Sequence, residues 1–219
     1  MRKILIVHAH QEPKSFCSAL KNTAAEFFIS NGDHVDVIDL YAVEFDPVGG
    51  KNDFKSSSES DYFKYQREQV HAFENGLFKD SLQKHMELFE ACDVLIFNFP
   101  LWWFDLPAIL KGWVDRVFAM GFAYGNGKGV YENGVFKNKT AFCCMTTGGP
   151  QKAYGTGKNG ELEKILYPIN HGIFYFVGMR VLSPFIGYGP ARATNEERHA
   201  VLENYKTFLS SIDSQEAMY

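Results

Sequence analysis

Five short apolar runs, at residues 3–9, 34–40, 93–99, 140–145 and 179–182, constrain this chain more than any other feature. Between them lie segments of helical period. An apolar run of about four to eight residues between turn signals suits a strand buried on both faces. Such strands alternating with helices pack as a doubly wound parallel sheet with right-handed crossovers. The expectation is an α/β fold with five parallel strands, helices on both faces, and one domain over residues 1–219. A chain of 219 residues can bury a sizeable core.

The first run, Ile4-Leu5-Ile6-Val7, leads through a polar turn at His10 to Lys14 into a helix predicted from Phe16 to Ser30, with Ser15 as its N-cap. Leu20, Ala24, Phe27 and Phe28 carry the helical spacing, and Asn31-Gly32-Asp33 ends it. The loop between strand and helix relies on polar side chains and lacks the G-x-G-x-x-G of a dinucleotide fold. Residues 43–80 break the rhythm. Asp46 to Gly50 and Ser56 to Ser58 are loop material, and Phe54, Tyr62, Phe63 and Tyr65 are scattered through polar sequence. We read this stretch as an insertion with one or two short helices, its aromatics serving as packing points or a dimer contact.

Periodicity resumes near Asp80 with Leu82, Met86 and Phe89, which predict a helix to Ala91 before the third strand. Pro107 opens a helix predicted over Ala108 to Met120. A glycine-rich loop follows at Gly121 to Gly134, and the fourth strand runs into Thr146-Thr147-Gly148-Gly149-Pro150. A helix from Glu161 is expected to be interrupted at Pro168, and a last amphipathic helix spans Ala193 to Ser211.

Composition removes several classes. A formal charge of −4 leaves no basic footprint for nucleic acid or an anionic membrane. Cys17, Cys92, Cys143 and Cys144 have no metal-ligand spacing, and neighbouring cysteines in a strand point to opposite faces, so reduced buried thiols are expected and no metal site. The N-terminal apolar run breaks at His8 and His10 and reads as a strand rather than a signal peptide. No segment reaches the ~18 apolar residues of a membrane span. The expected location is the cytoplasm.

In an open parallel sheet, ligands bind at the strands' carboxyl ends. Three stretches converge there. His10 with Ser15-Phe16-Cys17 offers hydroxyl and amide donors at a helix start, which suits a phosphate. Pro100-Leu101-Trp102-Trp103-Phe104 offers aromatic faces after a proline that ends a strand. Thr146 to Gly149 lets backbone approach a ligand closely. Singly each has a plain structural reading: an N-cap, a core cap, a turn. Together they fit a nucleotide-like ligand with a phosphate at one end and a planar ring at the other.

Ile4 to His10, Ser15-Phe16, Phe99-Pro100-Leu101-Trp102-Trp103-Phe104, Pro107-Ala108-Ile109-Leu110-Lys111-Gly112-Trp113, Asp115-Arg116-Val117-Phe118, Gly121-Phe122-Ala123-Tyr124 and Thr146-Thr147-Gly148-Gly149 together give the chain a family likeness. It resembles the flavin-dependent NAD(P)H:quinone oxidoreductases of flavodoxin-like fold over about residues 3–210. The resemblance implies a homodimer with active sites at the interface, binding FAD in preference to FMN, with NAD(P)H as co-substrate and a quinone as acceptor in a ping-pong cycle. It implies that His10, Ser15, Phe16 and Cys17 hold the diphosphate and ribityl region. Pro100, Leu101, Trp102, Trp103 and Phe104, with Thr146, Thr147, Gly148 and Gly149, would wrap the isoalloxazine, and Arg198 would approach the nucleotide. Fixed N–H donors at the ring's pyrimidine edge would stabilise the charge that reduction places there.

Two departures from the family pattern stand out. Tyr154 matches a family tyrosine, whereas the family's histidine position falls at Asn159 or Gly160, and an amide does not exchange a proton near neutral pH. Of a pair of substrate-pocket tyrosines, one is Tyr124 and the second falls at Asn126, which implies an altered, more open pocket. Relatives of this fold also include flavin-binding ancillary subunits of membrane transporters. That is the alternative reading.

Overall fold

The computed structural model describes residues 1–58 and 61–219, so two residues of the insertion lie outside the described part. Its sheet runs in the order β2-β1-β3-β4-β5, from β1 (Lys3–His8), β2 (His34–Asp39), β3 (Val94–Pro100), β4 (Thr140–Thr147) and β5 (Arg180–Val181). All pairings are parallel. A sixth short strand, β6 (Phe185–Tyr188), pairs with the distal half of β4 and prolongs the edge that β5 begins. Gly187 interrupts its apolar pattern, which hides it among turn residues.

The helices fall on two faces. α1 (Phe16–Ser30) and α6 (Asn195–Ser211) cover Ile4, Ile6, Val94, Ile96, Phe142 and Cys144. α3 (Asp80–Ala91), α4 (Ala108–Val117) and α5 (Leu162–Ile169) cover the alternate residues Leu5, Val7, Leu95, Phe97 and Cys143. Cys143 and Cys144 thus face opposite cores, as period-two alternation requires. All four cysteines are free and buried.

Several boundaries shift from the sequence expectation for identifiable reasons. β3 keeps its pairing through Pro100, opposite Thr146, because the next amide takes over: Leu101 N–H donates to the Thr146 carbonyl at 2.8 Å. Helix α4 ends at Val117 rather than Met120, whose amide donates to Gln69 Oε1 at 3.1 Å. Pro168 does not interrupt α5. It sits inside the helix, which then widens into a π-helical stretch, Asn170–Tyr175, accommodating the missing donor. The last helix begins after Thr194, whose hydroxyl caps Glu197 N–H while the Glu197 carboxylate accepts from the Thr194 amide.

The insertion between β2 and α3 carries a 3₁₀ turn at Lys51–Asp53 and the helix α2 (Tyr65–Asn75). It is pinned to α4 by a buried ion pair, Arg116 Nη2 to Asp53 Oδ1 at 2.7 Å. A side chain at Gly112 would collide with the Pro47 backbone, so this glycine is what lets the insertion lie flat on α4.

Candidate active site

The carboxyl ends of β1, β3 and β4 meet at one edge of the sheet, where α1 starts. Ser15 caps that helix, its Oγ accepting the Ser18 amide at 3.0 Å. The amides of the first turn point outward, where they and the helix dipole favour an anion. Beside them opens a cleft of about 590 Å³. His10, Ser15, Phe16, Cys17 and Thr146 line one side, and Asn195, Arg198 and Leu202 from the start of α6 line the other. Arg198 is held by the Pro190 carbonyl at 3.0 Å and Asn195 Oδ1 at 2.6 Å, so its guanidinium is fixed at the cleft wall. Burial pushes the Cys17 thiol well above its usual range, so Cys17 lines the site as a neutral apolar group. Burial also lowers His10, against the pull of the Glu12 carboxylate.

The aromatic loop continues from this cleft. Leu101 packs into the core and ties β3 to β4. The next three side chains are exposed, Trp103 at 95%. Trp103 and Phe104 both hold left-handed backbone, with φ of 53° and 63°. Two consecutive bulky residues rarely adopt that region, and such strain gathers at ligand sites. The Trp102 ring lies 6.3 Å from that of His10, which joins the shelf to the cleft.

The third stretch closes the set. Thr147 Oγ1 donates to the Gly149 carbonyl at 2.8 Å. A side chain added at Gly148 would meet nothing, whereas at Gly149 it would come within 3.2 Å of Asn159 Nδ2 and 3.6 Å of the Tyr154 ring. Tyr154 and Asn159 therefore sit together against this loop, five residues apart but folded back by the Asn159 amide bond to the Ala153 carbonyl. Arg192 Nη1 donates to the Gly148 carbonyl at 3.2 Å.

Tyr124 and Asn126 are elsewhere in the chain. Tyr124 Oη accepts from Gln66 Nε2 at 3.2 Å and its ring abuts Phe176, while Asn126 Nδ2 donates to Glu74 Oε1 at 3.1 Å. Both lean on α2, and neither lines the cleft. Sequence reasoning missed Asn195, Leu202 and Arg192. The capping box at Thr194 marks a helix start, but only the topology puts that start beside α1. Among the described residues no group of three or more His, Cys, Asp or Glu could hold a metal ion. No helix is long and apolar enough to cross a membrane.

Comparison with known proteins agrees with this architecture. A family model described as flavodoxin-like fold matches residues 2–209. The chain is 40% identical to a rat (Rattus norvegicus) ribosyldihydronicotinamide dehydrogenase [quinone], covering 100% of this chain and 95% of that protein. It is 37% identical to the NAD(P)H dehydrogenase [quinone] 1 of Cavia porcellus, covering 100% and 80%. A structure from Klebsiella pneumoniae, provisionally named a quinone reductase, superposes with a TM-score of 0.95 at 33% identity, covering 100% of this chain and 87% of that one.

Proposed function

The chain belongs to the flavodoxin-like family that includes the NAD(P)H:quinone oxidoreductases, and on that premise we propose that it is a flavin-dependent dihydronicotinamide:quinone reductase acting as a homodimer in the cytoplasm. The observation that carries this reading is the exposed shelf of Trp102, Trp103 and Phe104, the last two held in left-handed backbone, beside the cleft at the start of α1. A planar ring with a phosphate tail fits both parts at once. FAD is our reading rather than FMN, because Arg198, Asn195 and Leu202 line the cleft in addition to the Ser15 turn.

A flavin bound there supplies a two-electron carrier between dihydronicotinamide and quinone. The chain's own residues bind and orient. Ser15 and the first-turn amides of α1 would hold the phosphates, with Arg198 as counter-charge. Trp103 and Phe104 would support the ring plane, and the Thr146 to Gly149 loop would present backbone at its edge, with no side-chain obstruction at Gly148. Tyr154 offers a hydroxyl and Asn159 an amide donor at that edge. Because the amide does not titrate, Tyr154 or water would have to supply any proton the reduced acceptor takes up.

Tyr124 and Asn126, remote from the cleft in their own chain, become substrate-pocket residues when contributed by a second copy. The acceptor then lies between one copy's shelf and the other's Tyr124. The names of the relatives leave two donor classes to separate, NAD(P)H and N-ribosyl dihydronicotinamide.

Purified protein is expected to be yellow and to release FAD on denaturation. It should oxidise a dihydronicotinamide with menadione in a ping-pong pattern. NADH, NADPH and N-ribosyl dihydronicotinamide compared side by side identify the donor. Colourless protein that binds no added flavin and shows no menadione-dependent turnover sinks the proposal.

A further inference from the structure

A histidine with no exposed surface closes the carboxyl end of β1. His8 pairs in register with Asn98 of β3, which pairs with Cys144 of β4, so a polar rung crosses the sheet directly beneath the first turn of α1. Its hydrogen bonds can be assigned proton by proton. Asn98 Nδ2 donates to the Cys144 carbonyl at 3.3 Å, which turns Oδ1 toward His8 Nδ1 at 2.5 Å. Cys17 Sγ donates to the same oxygen at 3.5 Å. An oxygen can only accept, so a proton must sit on Nδ1.

The other ring nitrogen meets α1. His8 Nε2 lies 3.2 Å from Ser18 Oγ, whose single proton is also within reach of the Glu12 carbonyl at 2.9 Å and Ser15 Oγ at 3.0 Å. A neutral imidazole needs that proton for itself and takes it from the Glu12–Ser15 turn. An imidazolium supplies its own and leaves the Ser18 hydroxyl to the Glu12 carbonyl. Burial is the strongest influence and holds His8 below its ordinary value; the Asn98 hydrogen bond and Asp39 on β2 favour the charged form, and Lys21 on α1 and His10 oppose it. A further anion at Ser15 would act on the same side as Asp39.

We propose that His8 is a positioning residue for the phosphate end of the flavin site, holding the first turn of α1 through Ser18 and taking up one proton from solvent when a diphosphate-bearing flavin enters the cleft. This rests on the flavin reading above. The proton adds to the Nε2 lone pair, Nε2–H then donates to Ser18 Oγ, and the Ser18 proton turns wholly to the Glu12 carbonyl. No bond between heavy atoms forms or breaks. The Glu12–Ser15 turn is tightened at the moment it carries the phosphates.

The test compares FAD with riboflavin, which has the ring and no phosphate, by fluorescence titration of flavin-stripped protein between about pH 5.5 and 8. FAD affinity is expected to fall about tenfold as pH rises across that window, because the bound state holds the extra proton, while riboflavin affinity stays flat. Calorimetry of FAD binding in two buffers of different ionisation enthalpy should register proton uptake. His8→Gln keeps a donor toward Ser18 without titrating, so it should retain affinity and lose the slope. His8→Leu and Ser18→Ala should each weaken FAD about tenfold more than riboflavin. Ser18→Ala breaks the link from the helix side and leaves the sheet intact, which covers a folding failure in His8→Leu. A slope that persists in His8→Gln, or equal losses for both flavins, overturns the proposal. Wild-type protein that binds neither flavin overturns the functional reading, and this inference with it.

Discussion

Two aromatic-rich stretches look alike in the sequence and end in opposite states. In the insertion, Phe54 and Phe78 are buried with ring centroids 5.7 Å apart, and Tyr65 packs on Phe54 while its hydroxyl donates to Asp53. At the edge of the sheet, Trp102, Trp103 and Phe104 are exposed, and Trp103 and Phe104 sit on strained backbone. The difference lies in what stands opposite each. The insertion meets α4, where Arg116 pairs with Asp53, donates to the Asp46 carbonyl and lies 4.9 Å over Phe45. The shelf meets only the cleft. Aromatic content marks apolar surface; whether that surface is for stability or for a ligand depends on whether the fold supplies a partner for it.

Breaking the insertion's anchor should give the largest effect. Arg116→Met leaves the Asp53 carboxylate, which has no exposed surface, without its counter-charge. Removing one member of a buried pair costs about 3–5 kcal/mol. Urea unfolding should register that loss, while FAD affinity of the folded fraction stays within about twofold. A loss under about 1 kcal/mol would put the pair in the class of solvated surface pairs.

A smaller effect comes from His85, which stacks on Phe45 with ring centroids 5.6 Å apart. Burial, with help from Lys84 and Arg116, pushes His85 down to about 4. Its Nδ1 is buried without a hydrogen-bond partner among the described residues. Below about pH 6.5 the unfolded chain takes up a proton that the folded chain refuses, so stability present at neutral pH drains away as pH falls toward 4. His85→Phe should remove on the order of 2 kcal/mol of that acid loss and stabilise the protein at pH 7 by about 1 kcal/mol. Unfolding midpoints at pH 7 and 5 measure both. An unchanged pH dependence would mean that His85 does not stay neutral in the fold.

These features differ in how much of them local sequence carried. Five of the strands, the Ser15 cap and the three loops at the sheet edge were legible because period and turn chemistry are local signals. So was the grouping of His10, Ser15 and Thr146 at one edge, once five parallel strands were assumed. The Asp53–Arg116 pair was not, since the two residues are 63 positions apart and no local signal joins them. His8 stands in the sequence only as a break in the first apolar run. Its partners Asn98 and Ser18 meet it only through strand register and the crossover of α1. The place of Asn195 and Leu202 in the cleft needed the last helix to pack beside the first.

The shelf offers the finest distinction. If Trp103 is held at φ 53° for a ligand rather than for packing, then Trp103→Gly should separate stability from binding. Glycine accepts the left-handed region freely, which relieves about 1–2 kcal/mol. Its greater freedom in the unfolded chain offsets about 0.5–1 kcal/mol of that. Loss of a side chain that is 95% exposed removes almost no packing. Flavin-stripped Trp103→Gly is therefore expected to be as stable as the wild type or up to about 1 kcal/mol more so, with FAD and riboflavin affinities both reduced, since the ring and not the phosphate loses its support. That pattern is the reverse of the one expected for Arg116→Met. A destabilised Trp103→Gly with unchanged flavin affinity would place this tryptophan with Phe54 and Phe78 as a packing residue, and the contrast between the two aromatic regions would vanish.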